Sequence, residues 1–301
     1  KQNIKEDEGY EDCMKLLEAN LGITPDLEAT TKKVKFDSIV EEIDPSEIHQ
    51  EEHKENKARI SESIKSSSTE EEPELSDFVI LKMLNKGGFG KVFLVKNTLD
   101  GKYYAMKRIR KDLLIETGQI ENTMNEKTVL LRLQNPFLLG MTYAYQNDFR
   151  LYFLLDFIRG GDLYDNLVKV KRFTEPQVKF FTAQIVIALG YLHEHKIVHR
   201  DLKPENVLVK SDGYIVLADF GLAKIFDGAN DMAQTMCGTP EYMAPEILKG
   251  KQQSYSVDWW TLGVLLYELA TGRSPFKHKN DRKLRKLIIK GKFPWPDPER
   301  H

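Results

Sequence analysis

Residues 199–206 read His-Arg-Asp-Leu-Lys-Pro-Glu-Asn, and the chain continues with Asp-Phe-Gly at 219–221 and Ala-Pro-Glu at 244–246. This pattern places an Asp, a Lys and an Asn in one short loop, with a second Asp 18 residues after the first. Transfer of a phosphoryl group from a nucleotide needs a base that orients the attacking hydroxyl, a cation on the transferred group and ligands for magnesium. The side chains of these two loops can supply all three.

Length and composition fit one two-lobed domain with an additional tail, since the chain has 301 residues of which 41% are hydrophobic. Residues 1–77 carry 10 Lys and Arg against 22 Asp and Glu, whereas the remaining 224 residues carry 34 against 24. That basic excess is spread over many residues and interleaved with acids, so we expect no nucleic-acid partner.

The two cysteines, Cys13 and Cys237, lie in separate segments. They predict no disulfide framework and favour a reducing compartment, so we expect a cytoplasmic location, with the nucleus as the alternative. The longest apolar helix candidate, residues 257–269, contains Asp258 and Glu268 and is too short for a bilayer, so we expect no transmembrane segment.

Composition divides the chain into an acidic tail and an α+β domain. Residues 1–74 are rich in Glu, Lys and Ser, which predicts disorder, with one short amphipathic helix at 13–21. Strands come first in the domain and helices later, which predicts a small antiparallel β lobe with one helix (75–157) and a larger, mainly helical lobe (158–301). The predicted strands are 78–84, 91–96, 102–109 and 151–157, and the predicted helices are 120–133, 176–193 and 257–270.

A Gly-rich turn joins the first two predicted strands, where residues 85–92 read Asn-Lys-Gly-Gly-Phe-Gly-Lys-Val. Glycines let a backbone approach phosphates closely, although a Gly-rich hairpin can equally be a structural turn. No Gly-Lys-Ser/Thr sequence follows, which argues against a Walker-type loop.

Lys107 lies on a predicted strand on the same face as Ala105, because side chains alternate with period 2. The small Ala leaves room for a flat adenine while the ammonium group reaches phosphates. Glu126 follows 19 residues later on an apolar helical face, where a carboxylate normally needs a cation. Lys107 is the candidate partner.

Together these motifs resemble the signature of protein kinases. Residues 235–246 read Thr-Met-Cys-Gly-Thr-Pro-Glu-Tyr-Met-Ala-Pro-Glu, which is similar to the AGC group of serine/threonine kinases, the group of the cyclic-nucleotide-dependent and ribosomal S6 kinases. The resemblance runs from about residue 77 to about residue 296. Further matching segments are 125–127, 135–137, 160–163, 257–260 and 263–268.

The resemblance implies a protein-kinase-like fold that uses ATP and Mg²⁺ to phosphorylate Ser/Thr hydroxyls of proteins. It assigns catalytic roles to Asp201, Lys203, Lys107, Glu126 and Thr239, and magnesium ligation to Asn206 and Asp219. It assigns nucleotide binding to Gly87, Gly90, Val92, Ala105, Lys107, Leu155, Leu208 and, through their backbone, Asp156 and Ile158. Lys203 and Thr239 favour Ser/Thr over Tyr as acceptor.

Regulation and substrate choice follow from the same resemblance. Thr235 matches the activation-loop phosphosite, which an upstream kinase would modify, and Arg200 and Lys224 match the cations that would bind the phosphate. Asn122 stands where some relatives have a His, so we expect weaker coupling between the phosphate and that helix. Substrates with basic residues before the Ser/Thr are implied by three acids, Asp162, Glu205 and Glu268.

Two features depart from the family pattern. Asn85 replaces the first Gly of the Gly-rich loop, and the chain ends before the family's last helices, which carry the Arg that pairs with Glu246. We therefore expect the sequence to be C-terminally incomplete. The alternatives are a nucleotide-binding pseudokinase or signalling scaffold without catalysis, and an acidic interaction module formed by residues 1–74.

Overall fold

The computed structural model describes residues 72–88, 90–226 and 235–295. The predicted disorder of the tail up to residue 71, and the helix predicted at 13–21, lie outside these residues. The chain divides into two compact units, with one break between Phe157 and Ile158 and with Ile120–Gly140 grouped with the helices rather than with the sheet.

The first unit, residues 72–119 and Met141–Phe157, is built on a five-stranded antiparallel sheet in the order β1-β2-β3-β5-β4. One face carries an apolar, largely aromatic core in which Phe78 meets Tyr104 edge to face at 5.7 Å between ring centroids. The elements are β1 (Phe78–Lys86), β2 (Gly90–Asn97), β3 (Tyr103–Arg110), α1 (Lys111–Glu116), β4 (Met141–Gln146) and β5 (Arg150–Asp156).

The four predicted strands are confirmed to within two residues at each end. Strand β4 was not predicted from the sequence; it pairs with β5 through an irregular register near Met141. Local propensity signals such a short edge strand only weakly, because the partner strand and the aromatic core stabilise it.

The second unit, Ile120–Gly140 and residues 158–295, is mainly helical. Two small antiparallel ladders, β6 with β9 and β7 with β8, accompany the helices. The elements are α2 (Ile120–Arg132), α3 (Leu163–Val170), α4 (Glu175–Glu194), β6 (Ile197–Val198), β7 (Val207–Val209), β8 (Ile215–Leu217), β9 (Lys224–Ile225), α5 (Pro245–Leu248), α6 (Ser256–Thr271) and α7 (Asp281–Lys290).

The three predicted helices are confirmed, and the α+β class is confirmed with them. A capping box formed by Thr174 and Gln177 begins α4, which packs against α6. No helix in the described part of the chain is long and apolar enough to span a bilayer. A buried core lies beside the loop between β6 and β7; it consists of Val198, Phe226, Met243, Ala244, Ile247 and Val257.

Candidate active site

The loop of residues 199–206 connects β6 to β7 and is hydrogen-bonded to Asp258 of α6. This carboxylate is fully buried, and its Oδ2 accepts hydrogen bonds from the backbone N–H of His199 at 2.9 Å and from His193 Nε2 at 2.8 Å. Its Oδ1 accepts from the backbone N–H of Arg200 at 2.8 Å. A buried carboxylate with three donors anchors the loop to the helix.

No role was predicted for Asp258 from the sequence. The signal was present, because a carboxylate inside an otherwise apolar helix must find donors when that helix is buried. What the sequence did not reveal is which donors these are, since two of them are backbone N–H groups about 58 residues earlier in the chain.

Two residues of the sequence motifs, one in this loop and one at 219–221, have an unusual backbone conformation. Arg200 and Asp219 adopt positive φ angles of 65° and 59°, a region that non-glycine residues enter at a cost and keep only when surrounding contacts hold them. The backbone N–H of Arg200 donates to Asp258, and its side-chain Nε donates to the Leu222 carbonyl at 2.7 Å.

The imidazole of the buried His199 bridges two backbone groups. Its Nδ1 accepts from the Asp201 N–H at 3.3 Å, and its Nε2 lies 3.2 Å from the Ala218 carbonyl, which fits one neutral tautomer.

Asp201 is the centre of a tight polar cluster. Lys203 Nζ lies 2.7 Å from Asp201 Oδ2, and Asn206 Nδ2 donates to the same oxygen at 3.1 Å. The other oxygen, Oδ1, accepts from the backbone N–H of Thr239 at 3.1 Å and from its hydroxyl at 2.9 Å. Lys203 Nζ also donates to Thr239 Oγ1 at 3.1 Å. The structure therefore brings together the predicted base, the predicted cation and Thr239.

Gly238 is required for this approach. Its φ is 102°, and a Cβ at that position would lie 2.9 Å from the Arg200 carbonyl oxygen and 3.9 Å from Asp201 Oδ1. A larger residue would push the segment that carries Thr239 away from the loop. The Gly-Thr pair is thus a packing requirement of the cluster.

The predicted magnesium ligands lie at the open end of the β7–β8 ladder. Asn206 donates both to the Asp201 carbonyl, at 2.8 Å, and to its carboxylate, so its amide oxygen points away from Asp201. The backbone N–H of Ala218 donates to the Asn206 carbonyl at 2.8 Å, which brings Asp219, the next residue, beside Asn206. An amide oxygen and a carboxylate suit magnesium, which takes one or two protein ligands in addition to phosphate oxygens. The donor set therefore fits the ion.

The predicted regulatory residues each have other partners in the structure. Thr235 is exposed, and its carbonyl accepts from the buried Gln253 Nε2 at 2.7 Å. Lys224 Nζ lies 3.8 Å from Glu121 Oε1 of α2. No hydrogen bond or ion pair between described residues links Thr235 to Arg200 or Lys224.

The predicted substrate-binding acids separate into two places. Glu268 of α6 accepts a hydrogen bond from the Tyr242 hydroxyl. Burial raises the pKa of Glu268, and the nearby carboxylates of Glu205 and Glu241 raise it further, against the lowering effects of the Tyr242 hydrogen bond and of the Lys277 cation. Asp162 instead caps α3 by accepting from the Asp165 N–H at 2.7 Å. Glu241, which the sequence analysis did not single out, joins Glu205 and Glu268 in one acidic cluster.

In the sheet unit, the predicted nucleotide-binding side chains share one face. Cross-strand pairing places Val92 opposite Lys107, and Ala105 opposite Leu155, so these four point to the same side. The other face of β3 carries the buried Tyr104 and Met106 of the core. The period-2 prediction for Ala105 and Lys107 is therefore confirmed.

The Gly-rich turn is closed by a hydrogen bond from the Gly87 N–H to the Gly90 carbonyl at 2.9 Å. A Cβ on Gly90 would lie 2.1 Å from the Arg108 carbonyl oxygen, so this glycine is needed where β2 approaches β3. At Gly88 a Cβ would meet nothing within 4 Å. Gly90 is therefore required by the packing of the two strands, as the interpretation of this stretch as a structural turn predicts.

The remaining predicted residues belong to the helical unit. Glu126 is buried in α2, Leu208 lies in β7 and Ile158 directly follows the sheet unit. Lys107 belongs to the other unit, so its pairing with Glu126 stays a prediction. Glu246 is half-buried and accepts from the Ser256 hydroxyl at 3.2 Å.

An antiparallel five-stranded sheet unit, a helical unit and an Asp-Lys-Asn loop anchored on a buried carboxylate are together the features of a protein kinase. The family model described as "Protein kinase domain" matches residues 78–299, and the chain therefore belongs to the protein kinase family. Several curated relatives are AGC-type serine/threonine kinases, which confirms the resemblance noted above.

Three relatives illustrate the match. Protein kinase 2 of Dictyostelium discoideum is 46% identical over 220 residues, which are 73% of this chain and 46% of that protein. Serine/threonine-protein kinase Sgk3 of Rattus norvegicus is 48% identical over 202 residues, 67% of this chain and 41% of that protein. Serine/threonine-protein kinase AtPK1/AtPK6 of Arabidopsis thaliana is 44% identical over 222 residues, 74% and 47% respectively. The chain thus spans less than half the length of each of these relatives.

Proposed function

We propose that this protein transfers the γ-phosphoryl group of ATP to Ser or Thr hydroxyls of protein substrates. The observation that carries the proposal is the Asp201 cluster, in which Lys203, Asn206 and Thr239 all contact one buried carboxylate at 2.7 to 3.1 Å. Membership of the kinase family and the names of the relatives support the same reaction.

In the proposed reaction, Asp201 accepts a hydrogen bond from the substrate hydroxyl and receives its proton as the oxygen bonds to the γ-phosphorus, while the bond to the ADP oxygen breaks. Lys203 stabilises negative charge on the transferred group, because its ammonium group is already fixed beside Asp201 and Thr239. Asn206 and Asp219 would hold magnesium, which when bound neutralises charge on the nucleotide phosphates.

Two further parts of the proposal concern control and choice of substrate. Phosphorylation of Thr235 by an upstream kinase would place about −1.5 to −2 charges on this exposed residue, and Arg200 and Lys224 would supply the cations that bind the phosphate. The acidic cluster of Glu205, Glu241 and Glu268 would bind Arg side chains that precede the acceptor. Support comes from the proximity of Glu205 and Glu241 to Glu268, because these two carboxylates raise the pKa of Glu268 although the cation of Lys277 acts on it in the opposite direction.

The test is phosphate transfer from Mg·ATP to two peptides that carry Arg two and three positions before the acceptor, one with Ser and one with Tyr at that position. We expect transfer to the Ser peptide only, with loss of transfer when the metal is chelated. Asp201→Asn shows whether the activity belongs to this protein, and Asp148→Asn, in an exposed turn, is the matched control. Binding of Mg·ATP without transfer to either peptide would contradict the proposal and favour a scaffold.

A further inference from the structure

The segment that contains α7 is strongly cationic. Residues 273–292 include nine Lys and Arg and a single acid, Asp281, and all nine basic residues are exposed. Leu284 and Ile288 form the buried side of the helix, so its charges face outward. No ion pair between described residues involves any of the nine. A helix of this kind attracts anionic partners.

One of these cations lies directly beside the segment that ends at Thr239. Arg285 Nη1 lies 3.8 Å from the sulfur of Met236, whose side chain is 52% exposed. Met236 precedes Thr239 by three residues, and the hydroxyl of Thr239 is hydrogen-bonded to Asp201. Arg282 lies one turn before Arg285 on the same side of the helix. The N-terminal flank of Thr239 therefore has two arginines nearby.

The C-terminal flank of Thr239 has the opposite charge. Tyr242, three residues after Thr239, donates to Glu268, and Glu205 and Glu241 lie close to this pair. The segment around Thr239, which is hydrogen-bonded to Asp201, thus has an arginine of α7 at its N-terminal flank and an acidic cluster at its C-terminal flank. If the residues before the acceptor contact the acids, those after it run toward Met236 and α7.

We propose that Arg285 and Arg282 select substrates with Asp, Glu or a phosphorylated residue just after the acceptor. The inference rests on the proposed function and deepens it: the substrate class becomes segments that are basic before, and acidic after, the Ser or Thr. The interaction is solvent-exposed, so each ion pair changes binding by about 2- to 5-fold rather than by orders of magnitude.

The test uses three peptides with the same Arg residues before Ser and with Ala, Asp or Lys at the first four positions after it. For the unmutated protein we expect kcat/KM to rank Asp above Ala above Lys, with an Asp-to-Ala ratio of about 4- to 25-fold at low salt that shrinks as ionic strength rises. In the double variant Arg282→Glu, Arg285→Glu the ratio falls below one. Lys283→Glu, Lys290→Glu changes the same number of charges on a different side of α7, about 120° around the helix, and keeps the ratio.

Failure of this inference differs from failure of the proposed function. Equal rates for the three peptides, or a preference for Asp that survives in the double variant, would overturn the inference while leaving the kinase activity in place. If no peptide is phosphorylated, the proposed function fails. The same ranking is then sought in the dissociation constants of peptides that carry Ala in place of the acceptor, measured by fluorescence anisotropy, where equal constants overturn the inference too.

Discussion

Replacing Asp258 by Asn tests whether the buried carboxylate of α6 holds the loop that carries Asp201. Asn keeps one oxygen, which can retain the two hydrogen bonds at the Oδ2 position, but its NH₂ group then faces the N–H of Arg200. One hydrogen bond to a charged acceptor is lost, at about 1.5–3 kcal/mol, and the other two lose their charge assistance. We therefore expect the free energy of unfolding to fall by about 3 kcal/mol.

The same change should also reduce activity, because Arg200 has a positive φ angle that the lost hydrogen bond helps to hold, and Asp201 is the next residue. A displacement of the Asp201 carboxylate by about 1 Å would reduce kcat/KM by about 100-fold. Urea unfolding followed by tryptophan fluorescence reports on the right unit, because Trp259, Trp260 and Trp295 all lie in the helical unit.

The control for this experiment is Asp148→Asn, which makes the same chemical change in an exposed turn. It should alter neither the unfolding free energy nor the activity by a measurable amount. If Asp258→Asn is within about 0.5 kcal/mol of the unmutated protein and equally active, then Asp258 does not anchor the loop and the reasoning fails.

Three further predictions concern other parts of the molecule. The pKa of Glu268 is raised in the folded state, which therefore binds the Glu268 proton more tightly than the unfolded state does. The protonated carboxyl stabilises the fold fully below about pH 4.3, and this stabilisation is lost as pH rises through the folded pKa. Glu268→Gln should accordingly gain more unfolding free energy at pH 8 than at pH 5, and an equal gain at both pH values would refute this. Gly90→Ala should destabilise the sheet unit by about 1–3 kcal/mol in thermal unfolding, since its Cβ meets the Arg108 carbonyl. Gly88→Ala, with open space around it, should not, and equal melting temperatures for the two would count against the packing argument. Thr235→Ala should lower the activity of protein pre-treated with its activating kinase, and unchanged activity would remove the regulatory role.

The sequence predicted the fold class, the four longest strands and the three longest helices, because β-branched and apolar periodicity dominate these elements. The residues of the Asp201 cluster were assigned through the resemblance of residues 199–206 and 235–246 to protein kinase motifs, and the structure brings Lys203, Asn206 and Thr239 to Asp201. The sequence did not predict Asp258 as the anchor, nor Glu241 in the acidic cluster. Their partners are distant in sequence, and only the packing of α6 beside the loop brings them together.

The contact between Arg285 and Met236 is another long-range contact that the sequence does not predict. The basic composition of residues 273–292 is legible in the sequence, but a charged helix is most often simply solvated. The proposed effect of this helix on substrate selection depends on the contact of Arg285 with Met236, close to Thr239. Local patterns therefore identified the chemistry, whereas tertiary contacts identified which residues position and flank it.

The most direct test of the central claim separates chemistry from nucleotide binding in Asp201→Asn. Single-turnover phosphate transfer to the Ser peptide and the dissociation constant of Mg·ATP are measured on the same preparation, beside Asp148→Asn. We predict that the transfer rate falls by about 10²- to 10⁴-fold while the dissociation constant changes by less than about 3-fold, because Asp201 orients the acceptor hydroxyl. An unchanged rate, or a loss of rate fully explained by weaker Mg·ATP binding, would contradict the account.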